Sequence, residues 1–432
     1  MNASVAVITG FHKSPDFLKT LFNYLDRQEY KDFNVYVYNS SGIECDRIGE
    51  GEYSFRYKVI NLEDNLGFAG GNNRAILTAK EEGDYKYYAL INDDTKPQPA
   101  WLKELVKTAE TDPTIGAVSP KMVFYERFIA LRGKTQVGKV DKRLLGIRWY
   151  ENTGFEDSYY SKRFFKEGFH EGEEDEVNLF RWTRSEFLLE LPLGTESGDG
   201  DYTLRLFLRM HPLLEEQQVE LSIGDSFVTT IALRRDSIFY ELKIPAGVVR
   251  ENAHYLIQNA GSDYDKRYNG FDIGSGEIDK GQYDQEREIR MFCGGGCLIS
   301  RAALEKAGLF NSYFFSYYED SDLSLRIRKK GYKLYYNPAS LVLHYHSGTS
   351  KEWSYFFIYH VFRNKIIFAA MNFGLVPFII SFLERGKETY VYLKWNVRSR
   401  FRDPGLKSRL KLNVRILLGS IKGIIKYKPE RF

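Results

Sequence analysis

Short apolar runs alternate with segments of helical periodicity over the first 125 residues of the chain. Apolar runs at residues 5–9, 35–38, 57–61 and 87–91 predict strands. Residues 71–79 and 99–111 predict helices, and an earlier helix is predicted to begin at Ser14-Pro15-Asp16. Strands that alternate with helices predict an α/β fold, with a mostly parallel sheet covered on both faces.

Polar residues follow several of these predicted strands. Thr9, Asn39 and the run Asn92, Asp93 and Asp94 come at or just after strand ends. Ligands of open parallel sheets bind beyond the carboxyl ends of the strands. We therefore expect these side chains to border a binding site.

The pattern changes twice further along the chain. Residues 128–176 are rich in charge, glycine and aromatic residues. Residues 177–262 then have the pattern of short strands with turns about every ten residues, and apolar and polar positions alternate strictly at 202–209 and 219–223. That spacing predicts an inserted β-sandwich. The predicted divisions are 1–127 and 263–352 for the two α/β halves, 128–176 for a connecting segment, 177–262 for the insert and 353–432 for a helical tail.

The last 80 residues are first apolar and then basic. Residues 366–382 are apolar apart from interruptions such as Asn372 and Pro377, and residues 385–432 contain 14 Lys or Arg against three acids. A spanning helix needs about 20 apolar residues. We expect an amphipathic basic tail that lies on an anionic membrane surface, with packing on the core and a true span as alternatives.

Composition narrows the setting. The 432 residues carry a net charge of +3, and three cysteines form no disulfide framework or CxxC pair. A reducing cytoplasmic environment is the simpler interpretation. The first residues lack a basic segment followed by a long apolar one, so no signal peptide is predicted.

Two acidic segments could carry chemistry. Asn92, Asp93 and Asp94 could bind Mg²⁺ or Mn²⁺ and so neutralise a diphosphate, although the same residues suit a simple turn. Glu319 and Asp320 could supply a base that deprotonates a hydroxyl, although acids also favour the first turn of any helix.

Three further segments are weaker candidates. Residues 65–74 predict a glycine- and asparagine-rich loop before a helix, which could approach a nucleotide or be merely structural. Cys293-Gly294-Gly295-Gly296-Cys297 lets backbone approach a bulky ligand, and too few soft ligands lie nearby to predict zinc. His344 and His346 could ligate a cation or lie in the core.

The order of these segments resembles the family 2 glycosyltransferases, and most of all their rhamnosyltransferase-like branch with a GT-A fold. The resemblance covers about residues 3–125 and 286–365. It rests on NLGFAGGNN, on NDDT, and on the long run YYEDSDLSLRIRKKGYKLYYNPASLVLHYHSG. It implies a Rossmann-like sheet, a nucleotide-sugar donor and a divalent cation.

The resemblance also implies roles for individual residues. Asp320 would be the catalytic base, Glu319 would orient either this base or the acceptor, and Asp94 and His344 would bind the metal. The remaining implied contacts go to the donor from Thr9, Asn39, Asn65, Gly70, Asn92 and Asp93, and to the acceptor from Gly294, Gly295 and Gly296.

Two departures from the family pattern affect these expectations. Tyr38-Asn39-Ser40-Ser41 stands where the family often has an aspartate that reads the base, so the base is left open. The insert is absent from minimal members, and it could bind carbohydrate, mediate oligomerisation or simply pack.

The expected function is inverting transfer of a sugar in cell-surface glycan synthesis. We expect rhamnose from dTDP-rhamnose, with UDP-galactofuranose or another UDP-hexose as the alternative, and a lipid-linked acceptor at the inner face of the cell membrane. A non-catalytic carbohydrate-binding protein is the rival from another class. No nucleic-acid reader motif occurs, which argues against nucleic acid, and a homo-oligomer is left open.

Overall fold

The computed structural model describes residues 4–11, 15–42, 53–135, 145–150, 165–174, 179–193, 201–210, 217–233, 238–345, 354–428 and 430–432. His346 of the sequence analysis lies outside these residues. The chain divides into two compact units, residues 1–125 with 257–432 and residues 126–256.

The strands, in chain order, are β1 Val5–Phe11, β2 Phe33–Asn39, β3 Arg56–Asn61, β4 Tyr87–Leu90, β5 Thr95–Pro97, β6 Ile115–Thr135, β7 Leu145–Tyr150, β8 Phe165–Glu174, β9 Leu179–Pro192, β10 Tyr202–Met210, β11 Gln217–Ile223, β12 Ser226–Leu233, β13 Ile238–Ile244, β14 His254–Asn259, β15 Ser262–Tyr264, β16 Gly270–Asp272, β17 Arg287–Glu288, β18 Leu298–Ser300 and β19 Lys333–His344. The helices are α1 Pro15–Asp26, α2 Gly67–Glu82, α3 Trp101–Ala109, α4 Ala246–Asn252, α5 Arg301–Ala307, α6 Glu319–Lys329, α7 Tyr355–Phe373, α8 Leu375–Arg398 and α9 Pro404–Ile425.

The first unit is built on a largely parallel sheet. Strands β3, β2, β1 and β4 lie side by side in that order and are parallel. Next to β4 comes β18, antiparallel to both β4 and β6, and β6 is in turn parallel to β19. The predicted α/β class with a mostly parallel sheet is confirmed.

Helices cover both faces of this sheet. Val5 and Val7 of β1 belong to a core cluster that also contains Leu21 of α1 and Trp101 of α3. On the other face, Ile8 belongs to a cluster with side chains of α2, α5 and α6. Successive side chains of a strand point to opposite faces, so burial on both sides explains why β1 is apolar at consecutive positions.

The second unit is antiparallel throughout its described pairings. Strand β6 continues into it and pairs with β9 and β11, while β7 pairs with β9 and β10, β8 with β9, β11 with β12 and β10 with β13. Strand β6 thus passes residue 127 without a break, and β7 and β8 lie within residues 128–176. The predicted domain boundaries and the sandwich stay predictions.

The C-terminal region is helical, as predicted. Ser354 caps α7 by accepting a hydrogen bond from the Phe357 backbone N–H, and Asp403 caps α9 in the same way from Leu406. Side chains of α7 also enter a core cluster with Phe314 and Leu325 of the first unit. None of the described helices is both long and apolar enough to cross a membrane.

Candidate functional site

The segment after β4 is held from two sides at the carboxyl edge of the sheet. The Asn92 backbone N–H donates to the Gly295 carbonyl over 3.2 Å, and the Thr95 hydroxyl donates to the Asn92 carbonyl over 2.7 Å. The carboxylates of Asp93 and Asp94 are buried. Two buried acids at a strand end are positioned to meet a ligand that carries compensating positive charge.

His344 lies against this acidic segment. It is the last residue of β19, which continues past Pro338 because its register against β6 shifts between Asn337 and Leu341. Its Nε2 is 3.0 Å from Asp94 Oδ1 and 3.3 Å from Asn92 Nδ2. The structure therefore brings together two residues that are 250 positions apart in the chain.

Gln258 fixes the orientation of this histidine. Its Oε1 lies 2.9 Å from His344 Nδ1. An amide oxygen only accepts hydrogen bonds, so Nδ1 donates to Gln258 and Nε2 is the ring nitrogen that faces Asp94. Histidines that bind metals are commonly oriented by such a partner on the other ring nitrogen. The sequence analysis missed Gln258 because nothing in its local pattern marks it.

Asp94 and His344 supply a carboxylate oxygen and an imidazole nitrogen to one point. Among the described residues, no group of three or more His, Cys, Asp or Glu is arranged to hold a metal ion. Oxygen and nitrogen ligands suit Mn²⁺, and Mg²⁺ accepts carboxylates together with substrate phosphates. The pair thus fits a cation that takes its remaining ligands from a bound diphosphate or water.

The second acidic group begins α6. Asp320 accepts hydrogen bonds from the Gly294 backbone N–H at 3.0 Å and the Ser321 backbone N–H at 2.6 Å. Burial raises the pKa of Asp320, and these hydrogen bonds oppose the rise. The carboxylate is therefore fixed in place and has the raised proton affinity that suits a general base.

Glu319 differs from its neighbour. Its side chain is buried, and Oε2 has no hydrogen-bond partner among the described residues. Burial, followed by repulsion from Asp320, raises the pKa of Glu319 well above the usual glutamate range. These effects favour the protonated form of Glu319, which would leave Asp320 as the charged member of the pair.

The backbone before these acids is strained. Phe315, Tyr317 and Tyr318 have φ angles of 66°, 71° and 70°, in the left-handed region that residues other than glycine rarely adopt. Each such residue costs about 1–3 kcal/mol, so surrounding contacts must hold the segment. Strain of this kind concentrates at functional sites.

The three glycines connect the two acidic groups. Gly294 donates to Asp320, and Gly295 accepts from Asn92. A Cβ at Gly294 would lie 3.0 Å from the Phe68 ring, and one at Gly295 would lie 3.3 Å from Asn92 Nδ2. The glycines thus permit close packing between the acids, and whether they also contact an acceptor stays a prediction. Burial raises the pKa of both flanking thiols, Cys293 and Cys297, which disfavours the thiolates that zinc requires.

Asp272, at the end of β16, is a further acid of this site that the sequence analysis missed. Its Oδ1 accepts hydrogen bonds from Asn259 Nδ2 at 2.6 Å and from the Ser262 hydroxyl at 2.8 Å. The residue as a whole is exposed, but local desolvation of its carboxyl is the main cause that raises the pKa of Asp272 to about 6. The charge of Asp320 adds to the rise, and the hydrogen bonds from Ser262 and Asn259 and the charge of His344 oppose it. The carboxyl therefore interacts with Asp320 of the second acidic group and with His344 beside the first.

The residues expected to bind the nucleoside lie on adjacent strands. Thr9 of β1 is buried, and its hydroxyl has no hydrogen-bond partner among the described residues. Asn39 ends β2 and donates to Asn61 Oδ1 at 2.8 Å while it accepts from the Ser41 hydroxyl at 2.7 Å. Their placement at the carboxyl edge of the sheet agrees with the expectation, and their contact with a donor stays a prediction.

The glycine- and asparagine-rich segment is largely helical rather than a loop. Helix α2 begins at Gly67, so Gly70 lies inside it, whereas Asn65 precedes it and accepts a hydrogen bond from the Gly67 backbone N–H at 2.9 Å. The helix predicted at residues 71–79 is present but begins at Gly67, so the predicted loop was wrong for residues 67–70, because tertiary packing outweighs the low helix propensity of glycine. A Cβ at Gly71 would lie 2.3 Å from the Tyr38 ring, which explains that glycine by packing.

Tyr38 precedes Asn39, one of the residues expected to bind the nucleoside, and also interacts with the acids. Its ring packs against Gly10 and Gly71, and Asn72 Nδ2 donates to its hydroxyl over 3.3 Å. Burial is the main cause that raises the pKa of Tyr38, and the charges of Asp93 and Glu319 add to it. The phenol therefore stays protonated and can donate a hydrogen bond toward this acidic region.

The strand-end acids, β1 and the glycine-containing α2 all lie in one segment that is similar to a known family. Residues 6–169 match the model of glycosyl transferase family 2. The family 2 segment includes Asn92, Asp93 and Asp94 and ends before Asp320 and His344. No curated protein matches the chain significantly in sequence.

Several solved glycosyltransferases share a distant structural likeness with the chain. GalNAc-T7, solved with UDP, GalNAc and Mn²⁺, is 13% identical with a TM-score of 0.43, over 85% of this chain and 47% of its own. The mannosyltransferase PcManGT from Pyrobaculum calidifontis, in complex with GDP-Man and Mn²⁺, is 10% identical with a TM-score of 0.41, over 98% and 87%. S. aureus TarS 1–349 is 12% identical with a TM-score of 0.37, over 97% and 82%. The chain thus spans about half of GalNAc-T7.

Proposed function

We propose that the chain is an inverting, metal-dependent family 2 glycosyltransferase with a GT-A fold. The observation that carries this proposal is the pairing of two acidic groups across one glycine segment. Asn92, next to the Asp94–His344 pair, donates to Gly295, and Gly294 donates to Asp320. The match of residues 6–169 to glycosyl transferase family 2 supports it independently.

In this reaction Asp320 accepts the proton of an acceptor hydroxyl. The oxygen forms a bond to the anomeric carbon as the bond from that carbon to the diphosphate oxygen breaks, and nucleoside diphosphate leaves. Attack from the opposite face inverts the anomeric configuration. Glu319 would stay protonated beside Asp320, so that the pair carries a single negative charge.

Asp94 and His344 would hold the divalent cation, Mg²⁺ or Mn²⁺. When bound, the cation neutralises charge on the donor diphosphate. The protein contributes a buried carboxylate and a histidine whose tautomer Gln258 fixes. Asn92 and Asp93 would complete the donor side of the site.

The donor we favour is dTDP-rhamnose, with UDP-galactofuranose or another UDP-hexose as the alternative. Support comes from the similarity of the sequence to the rhamnosyltransferase-like branch. Thr9 and Asn39 would contact the nucleoside, Asn65 and Gly70 the rest of the donor, and Gly294, Gly295 and Gly296 a lipid-linked or polysaccharide acceptor.

A donor panel tests this proposal. Purified protein would be mixed with dTDP-rhamnose, UDP-galactofuranose, UDP-galactose, UDP-glucose or GDP-mannose, with Mn²⁺ or with EDTA, and nucleoside diphosphate release would be measured. We expect release from one donor that requires the cation and is lost in Asp94→Ala and Asp320→Asn. Absence of binding to every donor would reject the enzyme and favour a non-catalytic glycan-binding protein.

We also propose that α8 and α9 hold the protein on the inner face of the cell membrane. Large apolar side chains of α9 are exposed at helical spacing, namely Val414, Leu418, Ile421 and Ile425, with Leu418 at 63% and Ile425 at 79% exposure. On α8, Leu375, Val376 and Leu383 are likewise exposed. The 14 basic residues of positions 385–432 complement anionic lipid.

Vesicle sedimentation distinguishes binding to a membrane from binding of another partner to the exposed apolar side chains of α8 and α9. We expect binding to vesicles of phosphatidylglycerol and phosphatidylcholine, weaker binding to phosphatidylcholine alone, and a loss in Leu418→Ser/Ile425→Ser. Equal binding of wild type and variant would reject the proposal. Sedimentation velocity that shows a dimer lost in the same variant would assign the surface to a second copy instead.

A further inference from the structure

The segment that leads into Glu319 and Asp320 is held by the C-terminal helices. Asn364 of α7 is fully buried. The two hydrogens of its Nδ2 are shared among three backbone carbonyls of that segment, those of Phe314 at 2.9 Å, Ser316 at 2.8 Å and Tyr317 at 2.7 Å. These carbonyls flank or belong to the residues with positive φ angles.

Arg363 fixes which way the Asn364 amide points. Its Nε donates to Asn364 Oδ1 over 2.7 Å, so the amide nitrogen must face the segment. One of its terminal nitrogens also donates to the carbonyls of Tyr313 at 3.0 Å and Phe314 at 2.7 Å. Two adjacent side chains of α7 therefore donate to four of the five backbone carbonyls from Tyr313 to Tyr317. The exception is the carbonyl of Phe315.

The carbonyl of Phe315 is held from the opposite side. It accepts a hydrogen bond from the Ala69 backbone N–H of α2 at 3.1 Å. Asn73 of the same helix exchanges hydrogen bonds with the backbone of Phe310, at 2.8 and 3.0 Å. The strained segment is thus clamped between α2, which belongs to the family 2 segment, and α7, which does not.

We propose that Asn364, oriented by Arg363, is a positioning residue for the catalytic carboxylate. By satisfying the carbonyls of the strained segment, it sets where α6 begins and so holds Asp320 against Gly294. This role rests on the proposed function, in which Asp320 is the base. It also makes α7 part of the active site rather than an appendage.

The chemistry of the contact distinguishes asparagine from its close relatives. Aspartate in place of Asn364 has the same shape but offers acceptors to three carbonyl oxygens and so repels them. Alanine removes this donor from all three buried carbonyls. Asn396 of α8 is the matched control, because it is equally buried and donates to the carbonyls of Tyr392 and Leu406, which are remote from α6 in the chain.

The experiment compares Asn364→Ala, Asn364→Asp and Asn396→Ala with wild type. We expect kcat to fall at least about tenfold in both Asn364 variants, about 1.4 kcal/mol in barrier, while the Kd for donor with Mn²⁺ changes less than about twofold. Asn396→Ala should keep kcat even if its Tm falls. A folded Asn364→Ala with unchanged kcat, or with kcat and donor affinity lowered together, would overturn the proposal.

Hydrogen–deuterium exchange keeps the inference testable if no donor is turned over. In Asn364→Ala, the amides of residues 313–321 should exchange at least about tenfold faster, while those of residues 92–95 keep the wild-type rate. Unchanged exchange at 313–321 would reject the positioning role whatever the activity. Accelerated exchange without any transfer by wild type would instead reject the proposed function alone.

Discussion

The two acidic groups of the site are positioned by different means. Asp93 and Asp94 follow the buried strand β4, and neighbouring parts of the same sheet edge hold their backbone through Gly295 and Tyr345. Glu319 and Asp320 follow a strained segment whose carbonyls depend on α2 and α7. The difference teaches that one half of a site can be fixed by the sheet and the other half by distant helices.

The electrostatic environments differ in the same sense. Asp94 lies 3.0 Å from His344, a partner suited to share a cation. Asp320 and Glu319 lie beside each other, and burial raises the pKa of both. The environment of Asp94 suits binding of a cation, whereas the environment of Asp320 suits uptake of a proton.

The largest expected effect is on the second group. Asp320→Asn keeps the shape and its hydrogen bond from Gly294 but removes the base. We expect kcat to fall about 10²–10⁴-fold, with the Kd for the donor within about twofold. Single-turnover transfer and titration calorimetry measure the two quantities. A variant that transfers at the wild-type rate would move the base to another carboxylate, with Asp272 the first to examine.

The next largest effect is expected at the first group, where Asp94→Asn should lower the affinity for the cation. The amide weakens the cation site, so we expect Mn²⁺ affinity in the presence of nucleoside diphosphate to fall about 100-fold or more, since even indirect partners of metal sites contribute 10–100-fold. Electron paramagnetic resonance of free Mn²⁺ measures it. If affinity is retained while transfer is lost, Asp94 acts on the sugar and the division between the two groups fails.

Asp320 and Asp272 interact through charge, and this should appear in the titration of Asp272. A raised pKa of the base means that activity is lost as pH falls through it, at higher pH than for an ordinary aspartate. The charge of Asp320 adds to the desolvation that raises the pKa of Asp272 to about 6, so Asp320→Asn should lower the pKa of Asp272, as measured by carbon-13 NMR titration of its carboxyl. An unchanged pKa would show that the two carboxyls do not interact.

Gln258→Leu should have the smallest of these effects. Without its acceptor, His344 loses the fixed tautomer, and we expect Mn²⁺ affinity to fall about tenfold. Gln258→Glu retains an acceptor for Nδ1–H and should restore most of it. Equal losses in both variants would mean that Gln258 acts through packing alone.

The sequence by itself determined the α/β class, the acidic strand end, the helical start at the second acids and the helical basic tail. Each follows from a local cause: continuous apolar runs for β1 and β4, turn-forming polar residues after Ile91, and acids at the positive end of α6. These patterns need no knowledge of distant residues.

Only the tertiary structure decided what those residues touch. Gln258 and Asp272 carry no local signal, and their relation to His344 and Asp320 exists because β14 and β19, the separate β15–β16 pair and α6 come together in the fold. The same holds for Asn364, which as a sequence is an ordinary polar residue inside a helix. Its three carbonyl partners lie 47 to 50 residues away, and hydrogen bonds over such separations depend on how the elements pack rather than on propensity.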